Sequence, residues 1–308
     1  MSYKLDSGLS PDPNQNEIAD FWELECLKRP DKSESLLAIR KARGIGDDIQ
    51  EPDDDAQEFI LEEKDQLVVE EVIRRSKGCN GAYPFRLEGK GENLHHTPLN
   101  DQREFGYLFL LTATRINMGV NRTHAGIDGT LLFEEVCALV LKNYFGEQAK
   151  AVQFGTSTDG EFHDKLESLC TQVGEMTPRP EFRSKTCIPQ DGSLDVVAWI
   201  PFSDGLATNL ICFAQSKTGT SWIDHTRDLD VSDFLKRWVS TPPALDPIRA
   251  FMIADSVVVT DWWIRTINNL FFDRCRIAEY MDFTGEEELL KRVIKWTKAA
   301  LLHHQISI

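Results

Sequence analysis

The chain has 308 residues, 41% of them hydrophobic and 27% charged, with a formal net charge of −16. Those proportions exclude a disordered chain, and the charge argues against a protein that grips nucleic acid through a basic surface overall, so either cations cluster locally or a partner brings the substrate. No run of about 18 apolar residues exists, which excludes a membrane-spanning helix.

The first 16 residues, MSYKLDSGLSPDPNQN, form a polar tail with no apolar signal core, so the cytoplasm is the expected location. Asn16 is placed to cap a helix through IADFWELECLKR, and Ser33 to cap a second, SESLLAIRKARG, ended by Gly44. Residues 47–71 carry 12 acidic residues against one lysine, Lys64. Their apolar positions, from Phe59 to Ile73, fit a long helix to about Arg75 with a solvated acidic face. A contact surface for a basic partner, or a mimic of nucleic acid, is the sharper reading of that run. Residues 78–105, rich in Gly, Pro, Asn and His, read as irregular. YLFLLTATRINM (107–118) reads as a buried helix and GVNRTHAGIDG (119–129) as a junction. Residues 1–120 are thus a mostly helical docking or regulatory region, and 121–308 a second domain.

The second domain opens with TLLFEEVCALVLKNYFG, apolar nearly all round and therefore a buried helix, stopped at Gly146. QAKAVQFG is a short strand, EFHDKLESLCTQVGE (161–175) a helix, and SLDVVAWIPF (193–202) and TNLICFAQSKTG (208–219) two strands joined by a turn at Ser203-Asp204-Gly205. A helix is expected across 228–239, a strand at IRAFMIAD (248–255), a helix at 259–271, a strand at RCRIAEYM (274–281) and a closing helix at 286–302. This order predicts an α/β fold, a mixed central sheet flanked by helices. The seven cysteines, Cys26, Cys79, Cys137, Cys170, Cys187, Cys212 and Cys275, include no C-x-x-C pair. They read as reduced thiols, which argues against both a disulfide framework and a structural zinc.

Polar residues interrupt the apolar segments at three places. Glu134 and Glu135 lie in the buried helix, Asp195 near the start of a hydrophobic strand, and Gln215 and Lys217 at the end of the next. Burying such charges alone costs several kcal/mol, on the order of 3–5 for a broken buried pair. A divalent cation shared by them would offset the cost. Residues 215 and 217 share a strand face by alternation, and the helix is expected to pack over that face and bring a carboxylate down to it.

The pattern G-T-L-L-F-E (129–134), then Asp195 in GSLDVV, then Gln215-Ser216-Lys217, resembles the PD-(D/E)xK nuclease superfamily in its QxK variant, as in Mrr-like enzymes. The resemblance covers residues 129–219 by motif and 220–308 by element order. It implies a restriction-endonuclease-like core and phosphodiester hydrolysis, with DNA as the expected substrate class. It further implies Mg²⁺ (or Mn²⁺) held by Asp195, Gln215, the Ser216 carbonyl and Glu134, with Lys217 acting on the attacking water. Glu135 is the substitute for Glu134. Gln in place of the usual acid lowers the negative charge of the site.

Together with the net charge, the resemblance suggests a partner such as an ATPase or a sensor protein, in an antiphage defence or restriction setting, and a homodimer on base rates. The rival reading is an inactive nuclease-fold scaffold that binds protein or nucleic acid. His95-His96 and His303-His304 read as surface residues without ligand spacing. Trp222 and Trp262-Trp263 read as packing residues, and Lys236, Arg237, Arg249, Arg265, Arg274 and Arg276 as a local basic rim.

Overall fold

A computed structural model describes residues 3–43, 54–98, 102–155, 162–180, 193–257, 267 and 269–308, with side chains from residue 62 onward in the segment that starts at 54. The expectations for Gly44, Cys187, Trp262-Trp263, Arg265 and most of the helix at 259–271 lie outside the described residues, as does the part of the acidic run before residue 54.

The N-terminal region is built on α1 (Gln15–Lys28), α2 (Leu36–Ala42), α3 (Asp54–Gly78) and α4 (Arg103–Arg115). α1 starts at Asn14 rather than Asn16, because Asn14 and Glu17 form a reciprocal capping box. Ser33 is not a helix cap: Ser33–Ser35 is strand β1, and Ser35 caps α2 by accepting from the Ala38 N–H at 3.1 Å. The stretch read as irregular contains β2 (Phe85–Glu88) and β3 (Asn93–His96), which join β1 in an antiparallel sheet of order β1-β3-β2. The acidic helix is not wholly solvated: Asp65 pairs with Arg40, and Glu71 is 2% exposed.

A hairpin, β4 (Thr123–His124) and β5 (Ile127–Asp128), leads into α5 (Gly129–Phe145). Its two turn residues, Ala125 and Gly126, have φ of 51° and 78°, the left-handed pair that matches strand twist. Asp128 caps α5 by accepting from the N–H groups of Thr130 and Leu131. Then follow β6 (Lys150–Gln153), α6 (Phe162–Val173), β7 (Thr177–Pro178), β8 (Val196–Ile200), β9 (Leu210–Lys217), α7 (Val231–Trp238), β10 (Val239–Thr241), β11 (Ile248–Ile253), β12 (Leu270–Phe272), α8 (Arg274–Tyr280) and α9 (Glu287–His303). RCRIAEYM is therefore a helix, not the last strand. Asp273 caps it by accepting from the Arg276 N–H at 3.1 Å, and the strand is the preceding Leu-Phe-Phe.

The central sheet runs β12-β11-β9-β8-β6. β12, β11 and β9 are parallel, while β8 is antiparallel to both β9 and β6. The fold is thus α/β with a mixed five-stranded sheet. Val196, Ala198, Cys212 and Ala214 face α5 and join a core with residues of α4, α8 and α9. Val197, Trp199, Ile211 and Phe213 face α6 and α7. Each fully buried Leu, Val or Phe in these layers is worth ~1.5–3 kcal/mol relative to exposure.

Contacts run freely across the sequence boundary at 120. A second core combines Trp22, Val72 and Leu111 with Cys275, Ala278 and Leu301. Beside it lies a buried ion network. The Asp20 carboxylate accepts from Arg75 Nη1 at 2.5 Å, Arg115 Nε at 2.5 Å and Arg274 Nη1 and Nη2 at 2.7 and 2.8 Å. Glu23 accepts from Arg75, Tyr83 and Tyr107. Asp20, Glu23, Arg75 and Arg274 are 0% exposed. Burial pushes the Asp20 carboxyl upward, but the three guanidiniums outweigh it and hold the group well below the carboxylate range. No described helix is long and apolar enough to cross a membrane.

Candidate functional site

The candidate site sits at the sheet edge where β9 ends and β8 begins. β9 and β11 are parallel, so Lys217 stands beside Ile253, and the Ala254 N–H donates to the Lys217 carbonyl at 3.1 Å. Ligands of open α/β sheets bind outside the carboxyl ends of such strands.

Asp195 lies just before β8. Ala214 is the ladder partner of Val196 and also accepts from the Asp195 N–H at 3.0 Å, so two residues oppose one, as at a β-bulge. The Asp195 carbonyl accepts from the N–H groups of Phe154 and Gly155 at 2.7 and 3.3 Å. Its carboxylate accepts from the Ser216 N–H at 2.7 Å and the Ser216 hydroxyl at 3.2 Å. Burial pushes the Asp195 carboxyl up to about 7. The Ser216 N–H opposes that shift, the Glu134 charge adds to it, and Lys217 opposes it. The Glu134 carboxylate and the Lys217 ammonium thus each act on Asp195, in opposite senses.

Glu134 reaches this edge from α5. At the start of this helix Gly129 permits the close approach of α9: a Cβ there would lie 2.5 Å from Cζ2 of Trp296. The Glu134 carboxylate is buried and accepts from Gln153 Nε2 at 2.6 Å. Burial, then the fields of Asp195 and Glu134, push the Cys137 thiol well up, which places this thiol under the same two acids. Glu135 turns the other way. Its two oxygens accept from the two terminal nitrogens of Arg292 on α9. Of the two glutamates, Glu134 is the one at the site.

Gln215 and Lys217 depart from the expected arrangement. They are in phase with Phe213, while Ser216 is in phase with Ala214, so alternation puts both on the α7 side of the sheet rather than under α5. Glu134, instead of covering Gln215, lies where its charge acts on Asp195. The Gln215 amide is 1% exposed and its Nε2 has no hydrogen-bond partner. A half-turn of the amide presents an oxygen at that place, which suits a cation ligand.

Sequence reasoning missed Gln153 and the Ser216 hydroxyl, which orient the two acids. A polar residue in the middle of the strand QAKAVQFG was the available signal. Among the described residues, three cations of the expected basic rim are engaged elsewhere. Arg274 is in the ion network, Arg249 donates to the Leu229 and Ile267 carbonyls, and Arg276 donates to the Phe271 carbonyl. Trp222 packs against Phe251 and Phe271, as a core residue does, and its indole N–H donates to Asp255 at 3.3 Å. His96 and His304 are not surface residues, with side chains 6% and 9% exposed. Among the described residues, His163, Asp164 and Glu167 on α6 form a group whose ligand atoms all lie within 4.8 Å of one another, apart from the Glu134–Asp195 edge. No known protein family, curated protein or solved structure matches the chain.

Proposed function

We propose that the chain is a metal-dependent nuclease of the PD-(D/E)xK type, acting on DNA through the edge formed by Glu134, Asp195, Gln215, Ser216 and Lys217. The observation that carries this reading is the Asp195 carboxylate. It is withdrawn from water, tied by Ser216 to the strand that bears Gln215 and Lys217, and within the fields of Glu134 and Lys217. Two acids kept out of water beside one lysine form a costly arrangement that a divalent cation would relieve.

The donors fit a hard cation. Asp195, Glu134, the Gln215 amide oxygen and the Ser216 carbonyl are all oxygen ligands, the kind Mg²⁺ and Mn²⁺ take. When bound, such an ion lowers the pKa of water and offsets charge on a phosphate. Ser216 keeps the Asp195 carboxylate from swinging, and Gln153 does the same for Glu134. Lys217 would orient the attacking water through its ammonium protons, or steady the charge on the phosphate oxygens. The net charge of −16 favours delivery of the substrate by a partner, an ATPase or sensor protein of a defence or restriction system.

A catalytically inactive scaffold is the second reading. It is favoured by one observation, the amide at position 215 on the far phase of the strand. Cleavage of plasmid and single-stranded DNA with Mg²⁺ or Mn²⁺, with and without the proteins encoded beside it, separates the two. Wild type should cut, and Asp195→Ala and Lys217→Ala should each lose about 10²–10⁴-fold, the span of a positioned proton-transfer group. Folded wild type that cuts nothing in any combination would give the scaffold reading the field.

A further inference from the structure

Three histidines from distant parts of the chain meet at one place. His124 lies in strand β4, and His303 and His304 lie at the end of α9. The rings of His124 and His303 stand 5.8 Å apart, and those of His303 and His304 5.1 Å. Imidazoles that share a tetrahedral zinc through bonds of about 2.0–2.1 Å have ring centres roughly 5 Å apart.

The nitrogens that face inward are unusual. Nε2 of His124 and Nε2 of His304 are both buried and have no hydrogen-bond partner. The His304 side chain is 9% exposed. Unsatisfied buried polar atoms are rare and often mark an ion or a water. The opposite edges of the two rings are already engaged. Nδ1 of His304 lies 3.4 Å from a carboxylate oxygen of Asp6, and the other nitrogen of His124 meets the Asn121 backbone. A histidine held at Nδ1 by a carboxylate or a backbone carbonyl, with Nε2 free, is the arrangement of a metal ligand with its outer-sphere support.

We propose that His124, His303 and His304 form a binding site for a divalent transition metal, Zn²⁺ by its preference for imidazole, with Asp6 orienting His304 and a fourth position open to water. The site is independent of the Glu134–Asp195 edge. The ligand nitrogens of the three rings do not all fall within the 4.8 Å that the α6 group meets, so binding an ion requires the rings to rotate, for which the exposed His303 has room. The bound ion would clamp the N-terminal turn at Asp6, the β4–β5 hairpin and the end of α9.

The test uses the full chain, stripped by chelator and titrated with Zn²⁺ and, for its d–d spectrum, Co²⁺. A tetrahedral cobalt spectrum from one ion per chain is expected, beside any ion held at the Glu134–Asp195 edge. His303→Ala, at an exposed position that leaves folding intact, should weaken binding at least about 10-fold, and Asp6→Asn about 10–100-fold. Asp195→Ala and His163→Ala should keep the tetrahedral cobalt spectrum. The proposal is overturned if no tetrahedral cobalt spectrum appears, if His303→Ala and Asp6→Asn bind as tightly as wild type, or if that spectrum is lost with Asp195→Ala or His163→Ala. Because the readout is metal binding, a failed cleavage assay leaves it unaffected.

Discussion

Ser216 donates twice to a single oxygen of Asp195, its N–H at 2.7 Å and its hydroxyl at 3.2 Å, both to Oδ2. These two bonds offset only part of the cost of removing the carboxylate from water, which is why its pKa stands at about 7.

The pH dependence of stability follows. The folded chain holds the Asp195 proton more tightly than the unfolded chain, whose carboxyl titrates near 3.8. Stability from this group is full below about pH 4 and is lost as pH rises towards 7. Asp195→Asn should therefore stabilise the metal-free protein at pH 8, by up to about 4 kcal/mol at 1.36 kcal/mol per pKa unit, and do little at pH 4. Urea unfolding at the two pH values checks this; an equal change at both would refute it.

Removing each glutamate of α5 in turn separates their roles. Glu134→Gln should lower DNA cleavage by about 10²-fold or more, whereas Glu135→Gln, whose carboxylate is held by Arg292, should stay within a few-fold of wild type. The reverse order in a metal-dependent cleavage assay would move the site to the other face of α5.

Gly129 touches the ring of Trp296, and an added methyl has nowhere to go. Gly129→Ala should destabilise by about 1–3 kcal/mol through overpacking, visible as a lower thermal midpoint. An unchanged midpoint would mean that α5 and α9 can part to admit the methyl.

Asp20 faces three buried guanidiniums. Asp20→Ala should cost about 3–5 kcal/mol, the usual result of removing one side of a buried ion pair. A loss below about 1 kcal/mol in denaturant unfolding would show that the arginines find other partners.

Much of the fold over residues 121–308 was legible. The all-round apolar pattern of α5, the β8–β9 hairpin and the amphipathic α9 are strong local signals, and they carry Glu134, Asp195 and Lys217 to one sheet edge. Three things were not legible. Arg274-Cys-Arg-Ile has enough β-branched and apolar character to pass for a strand, and only the Asp273 cap and the short β12 before it decide for helix. Arg75, Arg115 and Arg274 look like surface residues one at a time, because the acids that join them, Asp20 and Glu23, are 52 to 254 positions away. The side of the sheet on which Asp195 stands relative to Gln215 depends on the bulge at Asp195, and a bulge leaves no mark in residue type.

The pairing of Asp20 with Arg274 bears on how this protein can change over generations. A charge at one position is tolerable in the interior only while its counterpart, 254 residues away, is kept. Exchange of N-terminal segments between homologous genes, or attachment of residues 121–308 to an unrelated leader, would leave that guanidinium only the Ala254 carbonyl and Asp255, 3.9 Å away, in place of two close bonds to Asp20. Positions 20 and 274 must therefore be inherited as a matched set, and a lineage that swaps front ends has to rewrite both at once.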